Sequence, residues 1–384
     1  MQETVPDTPA VDTALLEAAG AALAAIHFGV PLAYYLYLRR AWLRRPWGLR
    51  RDPGYTPRVV VVVPTYNEAD LIERKLDDIY RQDYPREKLE VVVVDSASTD
   101  GTPEKARRWA SKHPDLKVRL VEEPARRGKA HALNTALKHI PPDAEVVILT
   151  DADSFWPQRD TVRRAVAYLA DPTVGAVSCL KKPAGQGPGG VEEAYRSLYN
   201  QVRLAESKAH STPIFHGELA AYRKSLLEEI GGFPEDLGAD DSHTATLIAL
   251  KGRRAITPED VWCTELVPRK GYTRWRIRRA QHLTQHFQKI LKTSHKTPSQ
   301  LKRILAVEAY LHLANPWLLP AAAALLALAA AHKSPSAIIL LALAAALLAY
   351  KPYRTWITTQ LYLTAAMIRN LHTKEITWEK QTKQ

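Results

Sequence analysis

Asp151 and Asp153 stand one residue apart, directly after the apolar run Val146–Leu149. Two carboxylates so spaced at a strand end can hold a Mg²⁺ or Mn²⁺ that also grips a diphosphate and neutralises a leaving group. A solvated loop can carry the same Asp-x-Asp, but the buried strand before it favours the metal reading. Asp95 suits hydrogen bonds from a nucleobase edge, and Glu68 and Asp100 are further acceptors near a nucleoside. Ser98, Thr99 and Asp100-Gly101 read equally well as turn chemistry. Lys129, in Arg126-Arg127-Gly128-Lys129, is a candidate contact for a phosphate or a sugar hydroxyl. No Walker A pattern is present, which disfavours ATP hydrolysis on a P-loop. Asp240 and Asp241 open a helical run. One of them is a helix cap, or a general base that takes a proton from an acceptor hydroxyl.

The elements that must hold these residues alternate. Residues 59–63 are five consecutive valines, and 91–94 and 146–149 are further β-branched runs. Such runs predict strands buried on both faces. Helical patterns lie between them, at about 68–80, 102–112 and 128–139. The alternation predicts an α/β domain with a mostly parallel sheet covered by helices, spanning residues 52–268. In such sheets ligands bind beyond the carboxyl ends of the strands. The first strand delivers Pro64, Thr65, Tyr66 and Glu68 there, the second Asp95, the third Asp151 and Asp153. A Gly/Pro stretch at 183–190 predicts a moving loop.

The flanks differ. Residues 1–38 hold no Lys or Arg, and 18–38 is apolar and long enough to cross a bilayer. Arg39, Arg40, Arg44, Arg45, Arg50 and Arg51 follow, which predicts a cytoplasmic side for that end. The acidic residues before the run (Glu3, Asp7, Asp12) predict an uncleaved span rather than a signal peptide. Residues 310–331, kinked by Pro316 and Pro320, and 336–350 predict two more spans within a 301–350 segment. Residues 351–384 predict a surface-lying amphipathic helix and a tail. The segment 269–300 carries Arg269, Lys270, Arg274, Arg276, Arg278 and Arg279, with Tyr272 and Trp275 interleaved. It reads as a nucleic-acid contact, as an interfacial helix on the membrane, or as a source of Arg278 for a diphosphate. A net charge of +12 suits any polyanion. Two cysteines, Cys179 and Cys263, exclude a disulfide scaffold.

Residues 59–68 (VVVVVPTYNE), 95–102 (DSASTDGT), 128–137 (GKAHALNTAL) and 150–153 (TDAD) come in the order and spacing of GT-A glycosyltransferases. The set resembles the large inverting family that contains cellulose, chitin and hyaluronan synthases and dolichyl-phosphate sugar synthases. The resemblance runs over roughly 55–285, through Phe215-His216-Gly217, Gly231-Gly232-Phe233 and Ala239-Asp240-Asp241. It implies a GT-A fold with transmembrane and interfacial helices, close to a minimal cellulose-synthase-like archaeal mannosyltransferase. It implies that Pro64, Thr65, Tyr66, Glu68 and Asp95 bind the nucleoside of a sugar-nucleotide donor. Lys129 and Asp151 then support the donor, Asp153 with Asp151 ligates Mg²⁺ or Mn²⁺, and Arg278 meets the diphosphate. Asp241 falls on the family's general base, with Asp240 beside it. Residues 275–279 (WRIRR) fall where processive members have Gln-x-x-Arg-Trp, which puts Trp275 and Arg279 on the acceptor side and argues against polymer synthesis. The implied reaction moves a hexose, expected to be mannose from GDP-mannose, onto a polyprenyl- or dolichyl-linked saccharide in N-glycan assembly. The expected setting is three crossings of the cell membrane, with membrane lipids as partners, a cytoplasmic site and no nucleic acid. The rivals are a processive synthase using a UDP-sugar and a membrane-anchored, non-catalytic binder of sugar nucleotides or nucleic acid.

Overall fold

A computed structural model describes residues 12–184, 190–268, 270–293 and 297–374. Glu3 and Asp7, most of the 183–190 loop, Arg269 and the tail beyond 374 lie outside the described residues. The chain begins with α1 (Thr13–Leu38), then β1 (Val59–Thr65), α2 (Ile72–Tyr80), β2 (Leu89–Ser96), α3 (Thr102–Lys112), β3 (Lys117–Glu123), α4 (Lys129–Leu137) and β4 (Val146–Leu149). It continues through β5 (Ser154–Phe155), α5 (Thr161–Ala167), β6 (Val174–Ser178), β7 (Leu180–Pro183), α6 (Val191–Ala209), β8 (Ala220–Arg223), α7 (Lys224–Glu229) and α8 (Asp240–Leu250). β9 (Arg254–Ile256), β10 (Trp262–Glu265), α9 (Tyr272–Leu291), α10 (Ser299–Ala309), α11 (Asn315–Ala331), α12 (Pro335–Leu347) and α13 (Lys351–His372) complete it.

The fold is α/β. Seven strands form a sheet in the order β3-β2-β1-β4-β8-β6-β9, and β5, β10 and β7 form a smaller one. β3, β2, β1 and β4 run parallel, β8 is antiparallel to both neighbours, and β6 pairs with β9 in parallel. The valine runs form strands because both faces of the sheet are covered. Val59, Val61 and Val63 pack with Ile72 and Leu76 of α2 and Trp109 of α3. Val60 and Val62 point the other way, onto Ala132 and Leu133 of α4 and Ile248 of α8. The register sets Thr65 against Asp95, and Ser96 against Glu123, so three strand ends finish in one row.

One helix, residues Thr13–Leu43, is long and apolar enough to cross a membrane, with a mean hydropathy of 1.6. Two bent pairs pass the same test together: Ser299–Leu313 with Asn315–Ala331, bent by 41°, and Pro335–Leu347 with Lys351–His372, bent by 102°. The first bend sits at a π-helical turn, Tyr310–Ala314, just before Pro316. Pro320 has no N–H for the carbonyl of Pro316, and that carbonyl accepts from the Thr364 hydroxyl instead, at 3.2 Å. α12, at 13 residues, rises about 20 Å, short of the roughly 30 Å hydrocarbon core. The tip between α11 and α12 meets the start of α1, where Ser336 donates to Glu17 at 2.6 Å. Buried His27 of α1 joins the bundle: its Nδ1 lies 3.0 Å from the Asn315 carbonyl, and Trp356 Nε1 donates to its Nε2 at 3.0 Å.

Two segments differ from the interfacial helices read in the sequence. α9 buries Trp275, Arg276, Arg278, Gln281, His282 and Phe287. α13 buries Thr359, Gln360, Leu363 and Ala366, and Ala280 of α9 packs against Leu363 and Ala366. Of the apolar residues that helical spacing groups on one face, Phe287 and Met367 are buried, whereas Leu291, Leu361 and Leu371 are exposed. Spacing could not report that part of each helix packs against the other.

Candidate active site

The loops after β1 and β2 are stitched together by short polar side chains. Thr65 Oγ1 donates to Asp95 Oδ1 at 3.0 Å, and Ser98 donates to the same carboxylate through its hydroxyl at 2.6 Å and its N–H at 2.8 Å. The N–H of Asn67 donates to Ser98 Oγ, and that of Ala69 to Asp100 Oδ2. These bonds hold Asn67 and Ala97 in the left-handed region, at φ 55° and 57°, which asparagine tolerates better than alanine. Asp95 is 1% exposed and stands behind the cavity wall, not on it. Its oxygens accept from the two loops, through Thr65 and Ser98. Ser96 takes its place on the wall, with its hydroxyl donating to Glu123 at 2.8 Å. Pro64, Thr65, Tyr66 and Glu68 also line the cavity, and Arg126 lies over the Tyr66 ring at 3.8 Å.

The cavity, of about 290 Å³, brings Lys129, Asp151, Asp153, Asp240 and Asp241 together. Lys129, the first residue of α4, reaches Asp151 Oδ1 at 2.7 Å and Asp240 Oδ2 at 3.8 Å. Burial works against the Lys129 charge, but the carboxylates of Asp151, Asp240 and Asp241 outweigh it and hold the ammonium well above the usual lysine range. Burial, with Asp241 and Asp151 nearby, pushes Asp240 up to about 7 against the pull of Lys129. Asp240 Oδ2 has no hydrogen-bond partner. Asp241 is half-buried, and its Oδ1 accepts from the Ser242 N–H at 2.6 Å. Gly217 sits in the middle of this group. A Cβ there would lie 2.6 Å from Lys129 Nζ, 3.2 Å from Asp151 Oδ2 and 3.3 Å from Asp241 Oδ2. Only glycine leaves that space open.

Helices close the far side. Tyr195 and Tyr199 of α6, His282 of α9, and Thr359 and Tyr362 of α13 line it, with His312 from the π-helical turn. Beneath lies a buried ion cluster. Lys181 contacts Glu218 and lies 3.0 Å from Glu265; Arg196 holds Glu192 at 2.7 Å and reaches Glu265 at 3.4 Å. Arg276 reaches Glu192 at 3.3 Å and stacks over Tyr195 at 4.0 Å. Arg278 lines the cavity, as the sequence implied. The two expected acceptor-side residues, Trp275 and Arg279, line it too. Arg279 is ion-paired with Glu265 and lies 3.6 Å from Glu218. Trp275 is 1% exposed, packed with Val267, Tyr272 and Tyr362 at the cavity edge.

Sequence reasoning missed Glu218, Glu265 and the two α6 tyrosines, and gave His216 no role. Glu218 directly follows the Phe215-His216-Gly217 stretch, and Tyr195 and Tyr199 stand four apart on one helix. Those are the only signals in the sequence. His216 stays neutral, because burial and the Lys181 charge hold it well below the usual histidine range. The donor set suits a hard cation. Asp151 and Asp153 offer oxygen ligands on an open wall, and Mg²⁺ is commonly held by one or two carboxylates plus substrate phosphates. Among the described residues no group of three or more His, Cys, Asp or Glu forms a ready-made metal cage.

The model of glycosyl transferase family 2 matches residues 60–231, and that of glycosyl transferase family group 2 matches 146–368. A solved structure, the mannosyltransferase PcManGT from Pyrobaculum calidifontis in complex with GDP-Man and Mn²⁺, is 63% identical, with a TM-score of 0.88 over 94% of this chain and 100% of that one. Glycosyltransferase AglE of Haloferax volcanii is 30% identical over 47% of this chain and 57% of its own. The beta-monoglucosyldiacylglycerol synthase of Synechocystis is 31% identical over 48% and 39%. The chain spans about half the length of the curated relatives it matches. With a family model covering more than half of its residues, and a GT-A-like sheet carrying the Asp-x-Asp pair at a strand end, the chain belongs to glycosyl transferase family group 2.

Proposed function

We propose that the protein is a membrane-bound, inverting, metal-dependent mannosyltransferase that moves mannose from GDP-mannose to a lipid-linked saccharide, with N-glycan precursor assembly as its setting. The observation that carries the donor is the likeness, over nearly the whole chain, to a mannosyltransferase solved with GDP-Man and Mn²⁺. The lipid acceptor is supported by a cavity that runs from the strand ends to α13, beside the apolar helices.

In this reading Pro64, Thr65, Tyr66 and Glu68 face the nucleoside. Asp153 and Asp151 would hold Mg²⁺ or Mn²⁺, which when bound neutralises the departing diphosphate. Lys129, tethered to Asp151, brings a second positive charge to that end, and Arg278 approaches from α9. Asp241 is the general base. Its Oδ1 is fixed by Ser242, leaving Oδ2 to take the acceptor hydroxyl's proton. The freed oxygen attacks the anomeric carbon as the bond to the diphosphate breaks, in one displacement with inversion. Asp240 is the less accessible of the two: it is 4% exposed and its Oδ2 lies 3.8 Å from Lys129. The six arginines between 39 and 51 favour a cytoplasmic site, reached from up to three crossings. The meeting of Glu17 with Ser336 supports a topology in which the start of α1 and the α11–α12 tip share one side, the outer one in this reading.

The test is a panel of sugar nucleotides incubated with the full chain, Mn²⁺ and lipid extract, read by product mass. GDP-mannose with a single hexose increment on a lipid is expected. A preference for UDP-sugars, a long ladder of increments, or equal activity on free soluble sugars contradicts the reading. Topology is checked by cysteines placed at Thr13, Lys333 and Arg50, since Cys179 and Cys263 are buried. The first two should label from outside and the third should not; the reverse pattern overturns the cytoplasmic placement.

A further inference from the structure

Glu218 is a carboxylate without a task in the scheme above. It lines the cavity and is 2% exposed. Its backbone is pinned: the carbonyl accepts from Thr150 Oγ1 at 2.8 Å and from Trp156 Nε1 at 3.0 Å. Its Oε1 faces Lys181, with Arg279 3.6 Å away. Its Oε2 is buried and has no hydrogen-bond partner. A buried carboxylate oxygen left without a donor is costly unless a ligand supplies one. The next residue along, Gly217, is the open floor between Lys129, Asp151 and Asp241.

We propose that Glu218 is a sugar-specificity residue, whose free oxygen accepts a hydrogen bond from a hydroxyl of the transferred hexose as it lies over Gly217. This deepens the mannosyl-transfer reading and rests on it. The chemistry follows from what each candidate ligand offers at that spot. A phosphate has only acceptor oxygens and would be repelled by the carboxylate. A hexose offers several hydroxyl donors. A hydroxyl group bridging to a charged acceptor is also the kind of contact that discriminates strongly, because the wrong sugar leaves the carboxylate unpaired. The cations behind it, Lys181 and Arg279, engage Oε1 and leave Oε2 as the oxygen without a partner. Lys181 thus acts as a positioning residue for Glu218.

The experiment uses the full chain in detergent with Mn²⁺ and compares affinity for GDP-mannose with affinity for GDP by calorimetry. Glu218→Met should weaken GDP-mannose about tenfold or more, the scale of one hydrogen bond to a charged group, while GDP stays within about twofold. Retained GDP binding also reports that the variant folds. Equal losses for both ligands would make Glu218 a purely structural residue, and no loss for either would remove it from the sugar site; both overturn the proposal. If the variant does not fold, singly deoxygenated GDP-mannose analogues are titrated against the unaltered protein and Glu218→Asp. At least one analogue should bind the unaltered protein about tenfold more weakly, and that penalty should shrink in the variant. A full set of analogues that bind like GDP-mannose sinks the idea. Should the protein prefer another sugar nucleotide, the GDP-mannose reading falls, and the same comparison is made with that donor and its own nucleoside diphosphate. Binding of no sugar nucleotide at all overturns both.

Discussion

The two ends of the cavity are built in different ways. The sheet end consists of strand termini: Thr65 and Ser96 close buried β-runs, Asp151 follows another, and short local hydrogen bonds set the loops after β1 and β2. The helical end consists of charges drawn from distant parts of the chain. Lys181, Glu192, Arg196, Glu218, Glu265, Arg276 and Arg279 come from five elements or loops, and they find one another only in the folded protein. One end carries chemistry on a rigid sheet. The other holds a wall together with buried ion pairs, for which removing a single partner is expensive. Substitutions at the first end should therefore change catalysis with little effect on stability, and substitutions at the second, Glu218 apart, should do the reverse.

The largest separation is expected at Asp241. Asp241→Asn keeps the size of the side chain but cannot take the acceptor's proton, so turnover should drop about 10²-fold or more while donor affinity holds. Steady-state kinetics beside calorimetry checks this; near-normal turnover would shift the base to Asp240. Asp153→Ala should remove the gain in donor affinity that Mn²⁺ confers, with the melting temperature little changed. Unaltered metal dependence would take Asp153 out of the metal site. At the other end, Glu265→Gln leaves Lys181, Arg196 and Arg279 short of a buried counter-charge. Stability should fall by about 3 kcal/mol, read by chemical denaturation. A loss of activity with no loss of stability would erase the contrast between the two ends.

The smallest effect concerns pH. Asp240 titrates near 7 in the folded protein, above its unfolded value near 4. The folded state therefore holds a proton between about pH 4 and 7 that the unfolded chain has released. The stability this confers is full below about 4 and is lost as pH rises through 7. Asp240→Asn has nothing to titrate there, so its melting temperature relative to the unaltered protein should climb from pH 4 to 7 and level off above. A difference independent of pH would show that Lys129 holds Asp240 ionised throughout.

The same contrast explains what was legible in the sequence. The valine runs, the Asp-x-Asp pair, Lys129 and Asp240-Asp241 are local patterns, and the structure brings them to one cavity. The partners of Asp95, Thr65 and Ser98, were not legible because the Thr65 contact depends on strand register. The counter-charges of Arg279 were not legible because Glu265 and Glu218 lie 14 and 61 residues away in sequence. α9 and α13 have the amphipathic pattern of surface helices, and only the fold reveals that part of each packs against the other. The short strands β5, β7, β9 and β10 gave no periodic signal, since two to four residues are too few for one.

The most direct test of a single displacement assisted by Asp241 is the anomeric configuration of the product. With α-configured GDP-mannose, Mn²⁺ and a polyprenyl-diphosphate saccharide, the account predicts one added mannose in β linkage by NMR. An α-linked mannose would require two displacements or a different machinery, and would contradict it.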